Sequence, residues 1–339
     1  MVRMGEFELL ARIRERLPAK GLRTHLGSGD DAAITVPGGA TATSVDALVD
    51  GVHFRRELAT PAQIGHKALA TALSDLAAMG AEAGEAYVAL GLPSDFGEEE
   101  CIELLDGMAA LAGHAGMDLT GGDLTRSDQL FLAITVVGHA PSPDAFVTRG
   151  GAQPGDVLVL SGEIGAAVAG LELLNNQPSE ADFAFSGPIG HLKAKSAMEG
   201  LVGRQLEPTP RLAAGRALAL AGATAMIDLS DGLGADAGHL AQASGVKLEI
   251  EAAAVPLASA AVALSNATGR EPWWLLGGGE DYELLATVPP ARLDEASEAV
   301  LRNGAVPLTQ VGEVKPGAGV EIRLPGGGLL EPGGFDQLA

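Results

Sequence analysis

A chain of 339 residues is longer than one small core requires and fits two domains of ordinary size. Hydrophobic residues make up 47% of it and charged residues 19%, a globular composition that excludes intrinsic disorder. Its 22 Lys and Arg against 44 Asp and Glu give a net charge of -22, which repels nucleic acid and anionic membranes and makes divalent cations the usual neutraliser of a phosphate ligand.

The N-terminal stretch is charged almost throughout and has no apolar run long enough for a signal peptide or a membrane span. Phe7, Leu10, Ile13 and Leu17 stand at helical spacing, which predicts an amphipathic surface helix over residues 6–17. Residues 32–36 and 42–45 read as short strands around the turn Pro37-Gly38-Gly39. A helix is expected over 67–82, apolar all round except for Asp75, whose carboxylate needs a cation or strong donors when buried. Capping of a second helix after a break at Ser74 is the alternative for Asp75. The single cysteine, Cys101, falls in a helical stretch at 98–105; it rules out an intramolecular disulfide and suits a reducing, cytoplasmic compartment.

Residues 130–138 form a buried-strand pattern, and the Pro- and Gly-rich passage 141–155 reads as the link between an N-terminal domain, 1–140, and a C-terminal one, 150–339. The second half opens with a strand at 156–160, a Ser161-Gly162 turn and a helix from Gly165. Strand and helix recur at 226–229 and 233–243, and the polar segment 175–186 reads as an excursion between helices.

Six short motifs carry carboxylates, five of them together with glycine: GSGDDAA (27–33), SVDALVDGVHF (44–54), Ser74-Asp75, which has serine instead, GGDLTR (121–126), DLSDG (228–232) and GGGEDYE (277–283). Any one of them is more often a turn than a ligand site. Together they suggest several hard cations around a polyphosphate, because Mg²⁺ prefers oxygen ligands and is held by one or two carboxylates each, while glycine lets the backbone approach an anion. Asp228 and Asp231 bracket Ser230 where a strand meets a helix, so helix capping by Ser230 or Asp231 competes with a ligand role. No GxxxxGK[ST], HRD or DFG set, GxGxxG after a strand, or His-x-x-x-His pair occurs, so a phosphate site must rest on a different fold.

Taken in order, GEFELL, GDDAA, SVDALVDGVHF, KALATALSDLAAMGA, GGD, TRGGAQPGD, IDLSDGL and GGEDYEL resemble the thiamine-monophosphate kinase family. That family belongs to the superfamily that also holds aminoimidazole ribonucleotide synthetase and selenophosphate synthetase. The resemblance runs from Gly5 to about Leu284 and continues to a C-terminal aromatic. It implies a two-domain α/β fold of the α+β type, like that of aminoimidazole ribonucleotide synthetase, whose N-terminal sheet forms a barrel across a homodimer. The implied reaction is direct in-line transfer of the ATP γ-phosphoryl group to thiamine phosphate, with several Mg²⁺ ions and no phosphoenzyme.

Carried over motif by motif, the resemblance makes Asp31, Ser44, Val45, Asp46, Asp75, Asp123, Asp228 and Asp231 metal ligands. Gly122, Asp123, Arg149 and Ser230 become ATP contacts, with Asp46, Asp123 and Arg149 as the catalytic set; His53, Glu280 and Phe335 become contacts to thiamine phosphate. Val45 stands where the family often has threonine, so its contact would come from the backbone carbonyl. His53 reads alternatively as a core histidine after a strand, and Glu280 as a support for the loop 277–279. The rival functions are another ATP-using member of the superfamily, whose reactive cysteine this chain lacks at either end, and a non-catalytic cation-binding scaffold.

Overall fold

A computed structural model describes residues 6–17, 21–27, 32–176 and 190–335. The chain divides into two compact units, Met1–Leu76 with Ala81–Ala145, and Ala77–Gly80 with Phe146–Ala339.

In the first unit, α1 (Glu6–Arg16) lies where the helical spacing placed it. Two short strands, β1 (Thr24–Leu26) and β2 (Ile34–Thr35), pair antiparallel. The main sheet has four strands in the order β3-β6-β4-β5: β3 (Ala40–Val49), β4 (Glu82–Leu92), β5 (Asp118–Arg126) and β6 (Phe131–Ala140). β3 is longer at both ends than the stretch 42–45 its sequence suggested, because all ten of its residues pair with β6. Alanine and aspartate are poor strand formers alone, and the partner strand overrides them.

The helix expected at 67–82 is α2 (Pro61–Ala78), unbroken at Ser74. It starts earlier because Thr60 and Gln63 exchange side-chain and backbone hydrogen bonds of 3.3 and 3.0 Å, with Pro61 opening the first turn. It stops before Gly80, which takes φ +64°, and Glu82 already belongs to β4. Next, α3 (Glu98–Ala115) extends the helical stretch around Cys101. Leu69, Leu73, Leu104, Met108, Leu132 and Ile134 are fully buried, so the core lies between these helices and one sheet face. On the other face Thr41, Thr43, Val45 and Ala47 are exposed.

The second unit is built on a seven-stranded sheet, order β13-β12-β9-β11-β7-β10-β8. Its strands are β7 (Val157–Ser161), β8 (Ala225–Asp228), β9 (Lys247–Glu251), β10 (Leu284–Val288), β11 (Leu308–Lys315), β12 (Gly319–Arg323) and β13 (Leu329–Leu330). Its helices are α4 (Ala166–Asn176), α5 (Gly190–Leu206), α6 (Leu212–Leu220), α7 (Leu233–Ser244), α8 (Ser259–Ala267) and α9 (Leu293–Gly304). Alternate residues of β7 and β8 feed two cores. Leu158, Leu160 and Ile227 pack with Leu233 and Leu240 of α7, whereas Val157, Val159 and Met226 pack with Ala214 and Leu218 of α6 and Val300 of α9. Helices on both faces explain the near-continuous apolar run of β7. The neighbours of β7 are nevertheless antiparallel, and the pair β9 and β12 is parallel.

Candidate active site

In the first unit, Ser44 and Asp46 alternate onto the same half-buried face of β3, and the Ser44 hydroxyl donates to Asp75 Oδ2 from α2. Asp75 therefore meets a donor inside an unbroken helix, which removes the capping alternative. Two carboxylates and a hydroxyl are hard oxygen donors of the kind that suits Mg²⁺ and not a soft metal. Among the described residues no three His, Cys, Asp or Glu side chains gather into a metal cluster. Val45 is 64% exposed on the opposite face, which leaves its side chain out of this group.

GGD lies on β5, not in a turn. A Cβ on Gly122 would sit 2.0 Å from the Val88 carbonyl, so glycine is required there for β5 to approach β4. The register runs Asp46, Ile134, Val88, Gly122 across the sheet, and Asp123, one residue on, is exposed on the other face. With two strands between β3 and β5, Asp46 and Asp123 are about 14 Å apart by strand spacing and do not share one cluster within this unit. His53 is half-buried after β3, where its Nδ1 accepts the Val49 amide at 3.1 Å; this fixes the proton on Nε2. Asp31 lies outside the described residues.

In the second unit three motifs converge. The Glu280 amide donates to the Ser230 carbonyl at 2.8 Å, the Tyr282 amide to that of Leu229 at 2.9 Å, and the Phe335 amide to that of Asp231 at 3.0 Å. A Cβ on Gly279 would stand 2.2 Å from the Ser230 carbonyl, so the two loops touch backbone to backbone. Ser230, Asp231, Glu280 and Phe335 are thereby neighbours, with the Phe335 ring 59% exposed. Glu280 and Tyr282 adopt φ +67° and +52°, conformations that side chains avoid unless the surroundings impose them.

Capping does not account for Ser230 or Asp231. The residue at the start of α7 is Gly232, with no side-chain cap bond. Asp236 supplies the acceptor, its Oδ2 taking the amides of Ser230, Asp231 and Gly232 at 3.0 to 3.1 Å. Because those amides already have a carboxylate, they are not a phosphate cradle. Burial, with Asp228 and Asp231 nearby, pushes the Asp236 carboxyl up to about 7. Arg149 is exposed, and its carbonyl accepts from Ser244 Oγ at 2.9 Å, at the far end of α7 from Ser230. Twelve helical residues span about 18 Å, more than an arginine side chain, so this unit does not bring Arg149 to Ser230.

The GGGEDYE carboxylates split their work. Glu283, fully buried, accepts from Ser161 Oγ at 2.6 Å, Arg204 Nη2 at 3.1 Å and Arg211 Nε at 2.9 Å. Asp281 accepts the Gly165 and Ala167 amides at the start of α4, at 2.8 and 3.2 Å. The turn after β7 is thus a strand-to-helix turn closed by Asp281. Arg204, Gln205, Arg211 and Asp236 did not stand out in the sequence, and within GGGEDYE only Glu280, not Asp281 or Glu283, was given a site role. The usable signal was Glu283 itself, a charge opening the apolar strand LLATV, which demands buried partners.

Burial also lifts the Asp281 carboxyl, from an ordinary 3.8 to about 7, against its two amide donors. The folded state then holds a proton that the unfolded state releases near pH 4. The stability carried by the protonated form is complete below about pH 4 and is lost as pH rises through about 7. Asp281→Asn is expected to flatten that decline, read as urea-unfolding free energy at several pH values from 4 to 8. An unchanged slope would show that Asp281 does not carry it.

The chain matches the AIR synthase related protein N-terminal domain over residues 29–140 and the corresponding C-terminal domain over 153–325. It is 40% identical to thiamine-monophosphate kinase of Escherichia coli K12 over 314 residues, 91% of this chain and 90% of that protein. Crystallographic thiamine-monophosphate kinase from Stenotrophomonas maltophilia superposes with a TM-score of 0.80 at 35% identity, covering 94% of this chain and 96% of the other. AaThiL complexed with AMPPCP and TMP superposes at 0.74 and 30% identity, covering 99% and 98%.

Proposed function

This chain belongs to the thiamine-monophosphate kinase family of AIR synthase related proteins, and from that membership we infer that it is a thiamine-phosphate kinase. It transfers the γ-phosphoryl group of ATP to the phosphate of thiamine phosphate, in the biosynthesis of thiamine diphosphate. The acceptor's phosphate oxygen bonds to the γ-phosphorus as the bond to the β,γ-bridging oxygen breaks, and ADP leaves. The observation that carries the reading to this chain's own residues is the convergence of Ser230, Asp231, Glu280 and Phe335 through the Ser230 and Asp231 carbonyls.

Two phosphates that repel must be aligned, so positioning and charge neutralisation supply most of the catalysis. Ser44, Asp46 and Asp75 in the first unit, and Asp228 and Asp231 in the second, are the residues that would hold Mg²⁺. The Val45 carbonyl, Asp31 and Asp123 complete the proposed ligand set. When bound, Mg²⁺ neutralises phosphate charge between donor and acceptor. Gly122, Asp123, Arg149 and Ser230 are assigned to ATP, the guanidinium of Arg149 being suited to fork onto a phosphate. His53, through Nε2–H, Glu280, and the exposed Phe335 ring are assigned to thiamine phosphate, the ring as a stacking surface.

The half-exposed face of the four-stranded sheet, with Thr41, Thr43, Val45 and Ala47 outward, supports a homodimer that closes this sheet into a barrel. Among the described residues no helix is long and apolar enough to cross a membrane. The single cysteine, Cys101, leaves no internal disulfide to form, which supports a reducing, cytoplasmic setting.

The deciding assay is ADP release from ATP and Mg²⁺ with and without thiamine phosphate. Release that depends on thiamine phosphate supports the kinase. Bound cations with ATP untouched would favour a scaffold.

A further inference from the structure

On the reading that Glu280 meets thiamine phosphate, we propose that Gln205 is the residue that positions Glu280 for that contact. Gln205 lies in the last turn of α5 and is only 4% exposed. Its side-chain amide donates to Glu280 Oε2 at 2.6 Å, a short bond to a charged acceptor. A carboxylate only accepts, so the amide nitrogen must face it and the amide oxygen must point elsewhere.

Among the described residues that oxygen, Oε1, is buried and meets no hydrogen-bond donor. A stranded buried carbonyl lowers stability, and a methionine of similar length would fill the same space without one. The side-chain bond that glutamine makes here, and methionine would not, is the one to the Glu280 carboxylate.

The main chain of Glu280 is already fixed by its amide bond to Ser230 and by the Gly279 contact, at φ +67°. What the backbone leaves open is the direction of the carboxylate, and the Gln205 amide holds it at Oε2. The adjacent Arg204 serves a different carboxylate, Glu283, so the last turn of α5 divides its polar side chains between two members of one motif. Gln205 acts through Glu280 and touches no reacting atom.

Gln205→Met in the full-length chain tests this. The KM for thiamine phosphate is expected to rise about tenfold while kcat and the KM for ATP stay within about twofold. The melting temperature changes little, because the lost bond to Glu280 and the removed stranded oxygen offset each other. A wild-type KM for thiamine phosphate overturns the proposal, and so does a lower melting temperature with both KM values raised together, the mark of a merely structural residue. Should this variant fail to fold, Gln205→Asn keeps the amide but withdraws it by one methylene. It is expected to raise the same KM selectively, and an unchanged KM again overturns the assignment. A wild-type chain that releases no ADP in response to thiamine phosphate overturns the functional reading, and this one with it.

Discussion

Asp46→Asn is expected to lower kcat for ADP release at least a thousandfold, with Asp123→Asn giving a loss of the same order; about three powers of ten is what removing one preorganised charge-stabilising group costs a phosphoryl-transfer site. Asparagine has the shape of aspartate without its charge. Asp46 sits in the middle of β3, and the pairing that holds the strand runs through backbone groups along its whole length, so the fold should survive the change. Asp123 is exposed on β5 and packs against little. Circular dichroism and a melting curve close to wild type, alongside the collapsed rate, are the expected pair of results. Wild-type turnover in either variant would remove that residue from the proposed metal set.

Glu283→Ala is expected to destabilise the second unit by about 3–5 kcal/mol, the range for removing one partner of a buried ion pair and leaving the other uncompensated. Arg211 is 13% exposed and Arg204 28%, so neither recovers full hydration in place. Ser161 loses its acceptor as well. The surface pair Arg302–Glu298, with side chains 72% and 76% exposed, is the internal control, and its removal is expected to cost under about 1 kcal/mol. Urea unfolding compares the two directly. If the Glu283 variant unfolded no more readily than the surface one, the network would be dispensable.

Both results turn on how much of this molecule its sequence reveals. Helices α1, α2 and α3 were legible because apolar spacing is local and survives any tertiary arrangement. β4 and β5 were not: the stretch GEAYVALGL carries no marked pattern, and the glycines of GGDLTR read as a turn until Gly122 is seen to need its missing side chain for strand approach. The candidate site divides in the same way. Asp75 was flagged by its lone charge in an apolar helix, and the structure supplied Ser44 as the donor that meets it. Asp236 and Gln205 carried no comparable mark. An aspartate five residues after Asp231, or a glutamine at a helix end, is unremarkable in sequence until three amides or a carboxylate point at it.

By itself, then, the order of glycine–carboxylate motifs determined the family, and with it the phosphoryl-transfer chemistry, because the motifs stand in a recognisable series. Tertiary structure alone decided which of those residues are neighbours. It joined Ser44 to Asp75, set Asp46 and Asp123 on opposite edges and faces of one sheet, and drew Ser230, Asp231, Glu280 and Phe335 together from three segments spread over about a hundred residues. The reason is register. A side chain's face changes with every residue along a strand, and long-range pairing sets which strand lies beside which, so local pattern cannot encode either.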